Sequence, residues 1–207
     1  GKPMIGWVTD SIGLDCEYIY LFQKEHLDRY NIKQMVNLLT PNNKVIEVNG
    51  LTQGAACTAL LSKELIDDDK PLIIANSDQY IEWDVDSFFD LMNNSNVDGG
   101  ILTFENSHVK WSYAALDSDG YVNRVEEKNP ISNHATVGIY YFKHGKDFVK
   151  YTEQMINKNI RFKNEFYLAP CYNQFIEDGK KIKIYDVDRM IGCGTPEDLN
   201  NLINLLK

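Results

Sequence analysis

A chain of 207 residues, 43% hydrophobic and 25% charged, has the length of one domain and enough apolar content for a packed core, which excludes a disordered chain. Its formal net charge of -9 argues against nucleic acid or an anionic membrane surface as the main partner, but leaves room for a local basic pocket that holds a phosphate. The apolar runs are far shorter than a membrane span. The four cysteines, Cys16, Cys57, Cys171 and Cys193, are irregularly placed with no metal-ligand spacing, as expected of reduced thiols in a cytoplasmic protein.

Ile5, Val8 and Ile12 fall at helical spacing, so a helix is predicted within the first residues, with Pro3 in its first turn. Residues 18–22 and 44–48 read as strands, and Ile32, Met35, Val36 and Leu39 make one face of a helix between them. A loop of small residues, 49–56, leads into a helix that runs to Leu65. Residues 72–75 (Leu-Ile-Ile-Ala) are four apolar residues without a break, which predicts a strand buried on both faces as in parallel sheets. A helix carrying Phe88, Phe89 and Met92 follows. This alternation of helix and strand to residue 95 predicts an α/β fold, a mostly parallel sheet with helices on both faces.

The second half is richer in strands. Residues 100–104 form one. Residues 111–116 and 121–125 flank Asp117-Ser118-Asp119-Gly120 and read as a hairpin. Residues 135–142 form a long strand, 145–156 a helix, 165–176 a helix divided or kinked by Pro170, and 181–185 a strand. Thr195-Pro196-Glu197-Asp198 is a strong helix start, with Thr at the cap, Pro in the first position and acids in the first turn. Leu199, Leu202, Ile203 and Leu206 form the stripe of the C-terminal helix.

Four segments carry the candidate chemistry. Asn76-Ser77-Asp78 follows the predicted strand 72–75, and the carboxyl ends of such strands are where ligands sit in open α/β sheets. A lone carboxylate there, Asp78, suits a Mg²⁺ ion shared with phosphate oxygens; the same three residues also suit a turn that caps the helix after Val85. In Gln53-Gly54-Ala55-Ala56 the glutamine amide can read a base edge, the small residues let a flat ring approach the backbone, and the helix that follows points amides at an anion; a plain entry into a helix is the competing reading. Glu127-Lys128 places a lysine beside a carboxylate, fit to neutralise a phosphate, and is equally an ordinary charged turn. Gly138, inside a strand, marks either close approach of a ligand or a bulge. Trp111 and Tyr113 alternate on one strand face and belong either to an acceptor pocket or to the core. The four histidines have no metal or triad spacing, and no serine or cysteine sits in a nucleophile motif.

In their order along the chain, Gly1-Lys2-Pro3-Met4-Ile5, Gln53-Gly54-Ala55-Ala56, Asn76-Ser77-Asp78-Gln79, Glu127-Lys128, Val137-Gly138-Ile139-Tyr140 and Gly194-Thr195-Pro196-Glu197-Asp198-Leu199 resemble the motifs of sugar-1-phosphate nucleotidyltransferases. The likeness is strongest to the compact bacterial branch from capsule and surface-polysaccharide loci. The resemblance implies a Rossmann-like α/β/α sandwich and the joining of an NTP to a sugar 1-phosphate or related phosphate monoester, with release of pyrophosphate. It implies that Asp78 binds Mg²⁺, that Gln53, Gly54, Ala55, Asn76 and Ser77 form the nucleotide side, and that Lys128 holds the acceptor phosphate. Glu127, Gly138, Trp111, Tyr113 and Glu165 would contact the acceptor.

Two departures from that pattern stand out. The family begins with a strand and a glycine-rich loop, which do not precede Lys2-Pro3 here, so the expectation is a single domain, 1–207, shortened at its start by on the order of 30 residues. Many relatives carry a second metal-binding aspartate two residues before the Gly-Thr pair; here that position is Gly192, leaving Asp186, Asp188 or Glu165 to compensate. Two alternatives stand beside this reading. One is a GT-A glycosyltransferase, although Asn76-Ser77-Asp78 replaces its D-x-D motif. The other is a nucleotide-binding module without turnover.

Overall fold

The computed structural model describes residues 2–205. In chain order the elements are helix α1 (Met4–Ile12), strand β1 (Tyr18–Gln23), α2 (Lys24–Arg29), α3 (Ile32–Leu39), β2 (Asn43–Val48), α4 (Ala55–Leu60), α5 (Lys63–Ile66), β3 (Leu72–Ala75), β4 (Gln79–Glu82) and α6 (Val85–Asn94). There follow β5 (Gly99–Glu105), β6 (Ser112–Leu116), β7 (Val122–Glu127), β8 (His134–Phe142), α7 (Gly145–Asn157), α8 (Tyr172–Glu177), β9 (Ile182–Asp186), β10 (Arg189–Gly192) and α9 (Pro196–Leu205).

The main sheet is mixed, with strands in the order β7-β6-β8-β5-β9 and β3 also on β8. Strand β8 is its spine, and the alternation of its side chains sorts them into two cores. Tyr140 and Phe142 pack in a cluster with Phe148, Tyr151, Tyr172 and Phe175 of α7 and α8. Ile139 and Tyr141 pack on the other face with Val8 and Ile12 of α1 and Phe88 and Met92 of α6. The result is the expected α/β/α sandwich.

The two edges of β8 are used differently, and this sets the position of the cleft. Strand β5 runs along one edge, antiparallel, with a register irregularity between Ile101 and Thr103. Along the other edge β3 takes Ile139–Phe142, while β6 meets β8 only at Ala135. Between those partners Gly138 adopts φ +79, a left-handed conformation that favours glycine, and its carbonyl accepts from Asn76 N–H at 2.9 Å. Strand pairing along that second edge is thus interrupted at residues 136–138, beside the end of β3.

Several elements differ from the sequence reading. Strand β3 is half-buried and antiparallel to its neighbour, because β8 supplies its partner and no other described strand pairs with it. Strands β1 and β2 do pair in parallel, in a separate two-stranded sheet. The helix expected over 165–176 is confined to α8 after a 3-10 turn (Ala169–Cys171) containing Pro170, because Phe166 is drawn into backbone pairing with the 53–56 loop. The helix after Val85 is capped by Asp84, whose Oδ1 accepts from Ser87 N–H at 3.0 Å, not by residues 76–78. The expected Thr195 cap is present: Asp198 N–H donates to Thr195 Oγ1 at 3.2 Å. The stripe residue Leu206 lies outside the described residues.

Candidate active site

A cleft of about 380 Å³ opens where β3 ends and β8 is interrupted. Its base is organised by strands β4 and β10, which have no clear sequence signature. They pair antiparallel with Gln79 opposite Gly192. Cys193 N–H then donates to the Asp78 carbonyl at 2.6 Å, which fastens the 192–195 segment against Asp78.

Two glycines leave room around the carboxylates here. A Cβ at Gly194 would stand 2.8 Å from Asp78 Oδ2, and one at Gly192 would stand 3.9 Å from Asp198 Oδ2. Asp78 and Asp198 both line the cleft, and Asp198 Oδ2 accepts from Thr195 Oγ1 at 2.8 Å. Burial pushes the Cys193 thiol up, and the charges of Asp78 and Asp198 push it the same way. Among the described residues no group of three or more His, Cys, Asp or Glu side chains could hold a metal alone.

The cleft is also lined by Glu127 and Lys128, delivered by the end of β7. Glu127 is 7% exposed and accepts from Ser112 Oγ, its register partner on β6. Burial pushes its carboxyl above the ordinary range, against the pull of the Ser112 hydrogen bond and of Lys128 3.8 Å away. Lys128 has φ +53, a left-handed conformation that a side chain adopts at a cost, and its N–H is tied to Trp111 O at 3.0 Å. Its Nζ donates to Tyr167 OH at 2.9 Å and lies 4.8 Å from that ring. The Tyr167 bond holds the ammonium above the usual lysine range. Lys128 therefore projects a fixed positive charge from a strained, well-anchored backbone.

Of the residues singled out in the sequence, Ala55, Asn76, Asp78, Trp111, Glu127, Lys128 and Gly138 converge on this cleft. Tyr113 does not; it is fully buried and donates to His108 O at 2.7 Å. Gln53, Gly54, Ser77 and Glu165 also lie outside the lining, although the charge of Glu165 reaches both Glu127 and Lys128. Asp186 accepts from Thr103 Oγ1 at 2.7 Å and Asp188 N–H donates to Glu82 O; neither lines the cleft.

The 53–56 loop is held by Phe166. Phe166 N–H donates to Gln53 O at 2.8 Å and Ala56 N–H to Phe166 O at 3.0 Å. Gly54 has φ +129, and a Cβ there would stand 2.5 Å from Phe166 O, so both the conformation and the close approach require glycine. The Gln53 side chain accepts from Arg161 Nη2 at 2.7 Å. The anion-facing helix end expected here is not available, because α4 has six residues and its Ala56 N–H is already bonded. Lining residues to which the sequence reading gave no role in the site are Gln79, Ser112, Tyr167 and Asp198; Gln79 and Asp198 fall within the quoted motifs, whereas Tyr167 and Ser112 are revealed only by contact.

An α/β/α sandwich whose cleft at the strand ends is lined by a carboxylate and an anchored lysine suits an enzyme of the nucleotidyltransferase class. The sequence profile described as nucleotidyl transferase matches residues 15–170, and the chain belongs to that family. Among solved structures it is similar to a nucleoside-diphosphate-sugar pyrophosphorylase from Vibrio cholerae, with 20% identity, a TM-score of 0.81, and coverage of 99% of this chain and 88% of that one. It is also similar to an inositol-1-phosphate CTP transferase from T. maritima (12% identity, TM-score 0.71, 98% and 81% covered). A third is HddC from Yersinia pseudotuberculosis in complex with GMP-PN (18%, 0.64, 100% and 87%). At these identities the likeness establishes the fold. No curated protein sequence matches the chain. No helix among the described residues is long and apolar enough to cross a membrane.

Proposed function

We propose that the chain joins an NTP to a sugar 1-phosphate or related phosphate monoester, releasing pyrophosphate, and so supplies an activated sugar for surface polysaccharide synthesis. The observation that carries this reading is the Lys128 ammonium. It is anchored by Tyr167 OH at 2.9 Å and lines the same cleft as Asp78. The acceptor phosphate, held by Lys128, attacks the α-phosphorus of the NTP. A new P–O bond forms, the bond to the β-phosphate breaks, and pyrophosphate leaves with that electron pair. Such a reaction needs positioning and charge neutralisation more than covalent catalysis, which suits a cleft without a nucleophile motif.

The donor set fits a magnesium ion. Asp78 has a face left open by Gly194, and Asp198 approaches the space left by Gly192, the position at which the family resemblance leads one to expect a second aspartate. One or two carboxylates completed by phosphate oxygens and water suit Mg²⁺, which when bound neutralises charge on the phosphates. Asp198, on helix α9, stands in for the carboxylate absent at Gly192; its place in the cleft lining, which Asp186, Asp188 and Glu165 do not share, supports this. Gln53, held by Arg161, presents its amide to the base.

The test is pyrophosphate release with Mg²⁺, crossing the common ribonucleoside triphosphates and dTTP against a panel of sugar 1-phosphates, with Asp78→Ala as control. Release from one pair, absent in the control, is the expected result. Binding of nucleotide without release from any pair would reassign the chain to a binding module, and transfer of sugar from a nucleotide sugar would reassign it to the glycosyltransferases.

A further inference from the structure

Gln79 carries a polar atom that the protein leaves unanswered. The residue is 4% exposed, opens β4 directly after Asp78, and lines the cleft. Its Nε2 is buried with no hydrogen-bond partner among the described residues. A buried amide donor left unpaired is destabilising by about 1–3 kcal/mol, so such groups are uncommon in a folded chain unless something outside the chain pairs with them.

The surroundings say where the partner would sit. A Cβ at Gly138 would stand 2.5 Å from Gln79 Nε2 and no farther from Asn76 Nδ2. Two side-chain amides therefore converge over the one backbone position in β8 that has no side chain. The Glu127 carboxyl lines the same cleft, 3.8 Å from Lys128. The lining thus offers amide donors, an acceptor and a cation for the phosphate. Hydroxyl groups suit such a lining, since they can accept from an amide and donate to a carboxylate.

We propose that Gln79 is the specificity-determining residue for the acceptor, donating from Nε2 to a hydroxyl oxygen of a polyhydroxylated phosphate monoester. This rests on the nucleotidyltransferase reading and narrows its acceptor. A sugar 1-phosphate or related phosphate monoester leaves phosphocholine-like and amino-acid phosphates open beside hexose phosphates. A choline group has no oxygen to pair with the buried amide, so it would leave the amide unpaired after excluding water from it, a strong basis for rejection.

The experiment compares the wild-type chain with Gln79→Met, which keeps length and volume but has no amide. Binding of glucose 1-phosphate, galactose 1-phosphate, mannose 1-phosphate, their monodeoxy analogues and phosphocholine is measured by calorimetry, and kinetics by pyrophosphate release. The expected result is that one monodeoxy analogue binds the wild type about 10- to 100-fold more weakly than its parent, and that Gln79→Met binds parent and analogue alike. The KM for NTP stays unchanged and the melting temperature is unchanged or higher, because an unpaired donor has been removed. A residue with a merely structural role would lose stability and keep the discrimination.

Three results would overturn the proposal. One is a Gln79→Met variant with the wild-type preference across the whole panel. Another is phosphocholine binding as tightly as the sugar phosphates. The third is a folded wild type that binds none of the probes. If discrimination depends on Gln79 but no pair of substrates releases pyrophosphate, the assignment of Gln79 stands and the transfer reaction is what fails.

Discussion

The 53–56 loop and the wall formed by Asp78, Gln79, Glu127 and Lys128 are both assembled from segments distant in sequence, but their polar groups are used in opposite ways. In the loop, backbone groups pair with Phe166 on both sides, and the Gln53 amide is bonded to an arginine that Asn159 and the Asn164 carbonyl also hold. In the wall, an amide nitrogen is buried unpaired, burial disfavours the charged form of a carboxyl, and a lysine is fixed in a left-handed backbone. The loop is a finished surface against which something flat can lie. The wall stores unfavourable terms that a charged, hydroxylated ligand would relieve, which is how sites commonly trade stability for function.

That contrast predicts loss of activity without loss of stability on one side, and the reverse on the other. The largest effect is expected for Asp78→Ala, which should lower pyrophosphate release about a thousandfold or more while leaving the melting temperature unchanged or raised. Lys128→Ala should lower kcat/KM for the acceptor by about 10- to 100-fold with the KM for NTP unchanged, read from initial rates at varied concentrations of each substrate. A variant that instead unfolds would make the wall as structural as the loop. Asp198→Asn should weaken Mn²⁺ binding, followed by the paramagnetic signal of the free ion, by about tenfold; unchanged affinity would remove Asp198 from the metal site.

On the other side, Gly54→Ala should destabilise the fold by about 1–3 kcal/mol in a denaturant titration, because its Cβ meets the Phe166 backbone. Gly50→Ala, at φ +73 with nothing within 4 Å of its Cβ, should do less, and equal losses would show that the Phe166 contact adds nothing.

The smallest effect is in pH dependence. Burial raises the Glu127 carboxyl in the folded state, so the stability due to its protonated form is fully present below the ordinary carboxylate range. It is lost as pH rises through the raised value. Glu127→Gln cannot titrate, so its stability relative to wild type should increase across that window, measured by chemical denaturation at a series of pH values. A difference that does not change with pH would mean that Glu127 is not strained when charged.

Much of this was legible in the residues. The strand at 72–75 stops just before Asn76-Ser77-Asp78, the hairpin turns at Asp117-Ser118-Asp119-Gly120, and the Thr195 cap starts α9, because each depends on a local pattern of period or turn chemistry. Glu127, Lys128 and Gly138 stood out for the same reason, and all three line the cleft. Gln79 did not stand out, although it adjoins Asp78, because its meaning lies in burial without a partner. Tyr113 is chemically suited to a pocket and is instead core, since alternation along β6 cannot say which face meets solvent.

Sequence alone determined the α/β class, the order of most elements and the segments that carry chemistry, because periodicity, caps and turn residues act within a few positions of the chain. Tertiary structure decided how those segments meet. It made β8 the spine, paired β3 antiparallel to it, and brought Gly192 opposite Gln79 through two short strands. It also drew Phe166 out of a predicted helix and onto the 53–56 loop. These are contacts between residues far apart along the chain, where the burial of apolar surface and the pairing of every backbone group outweigh local preference.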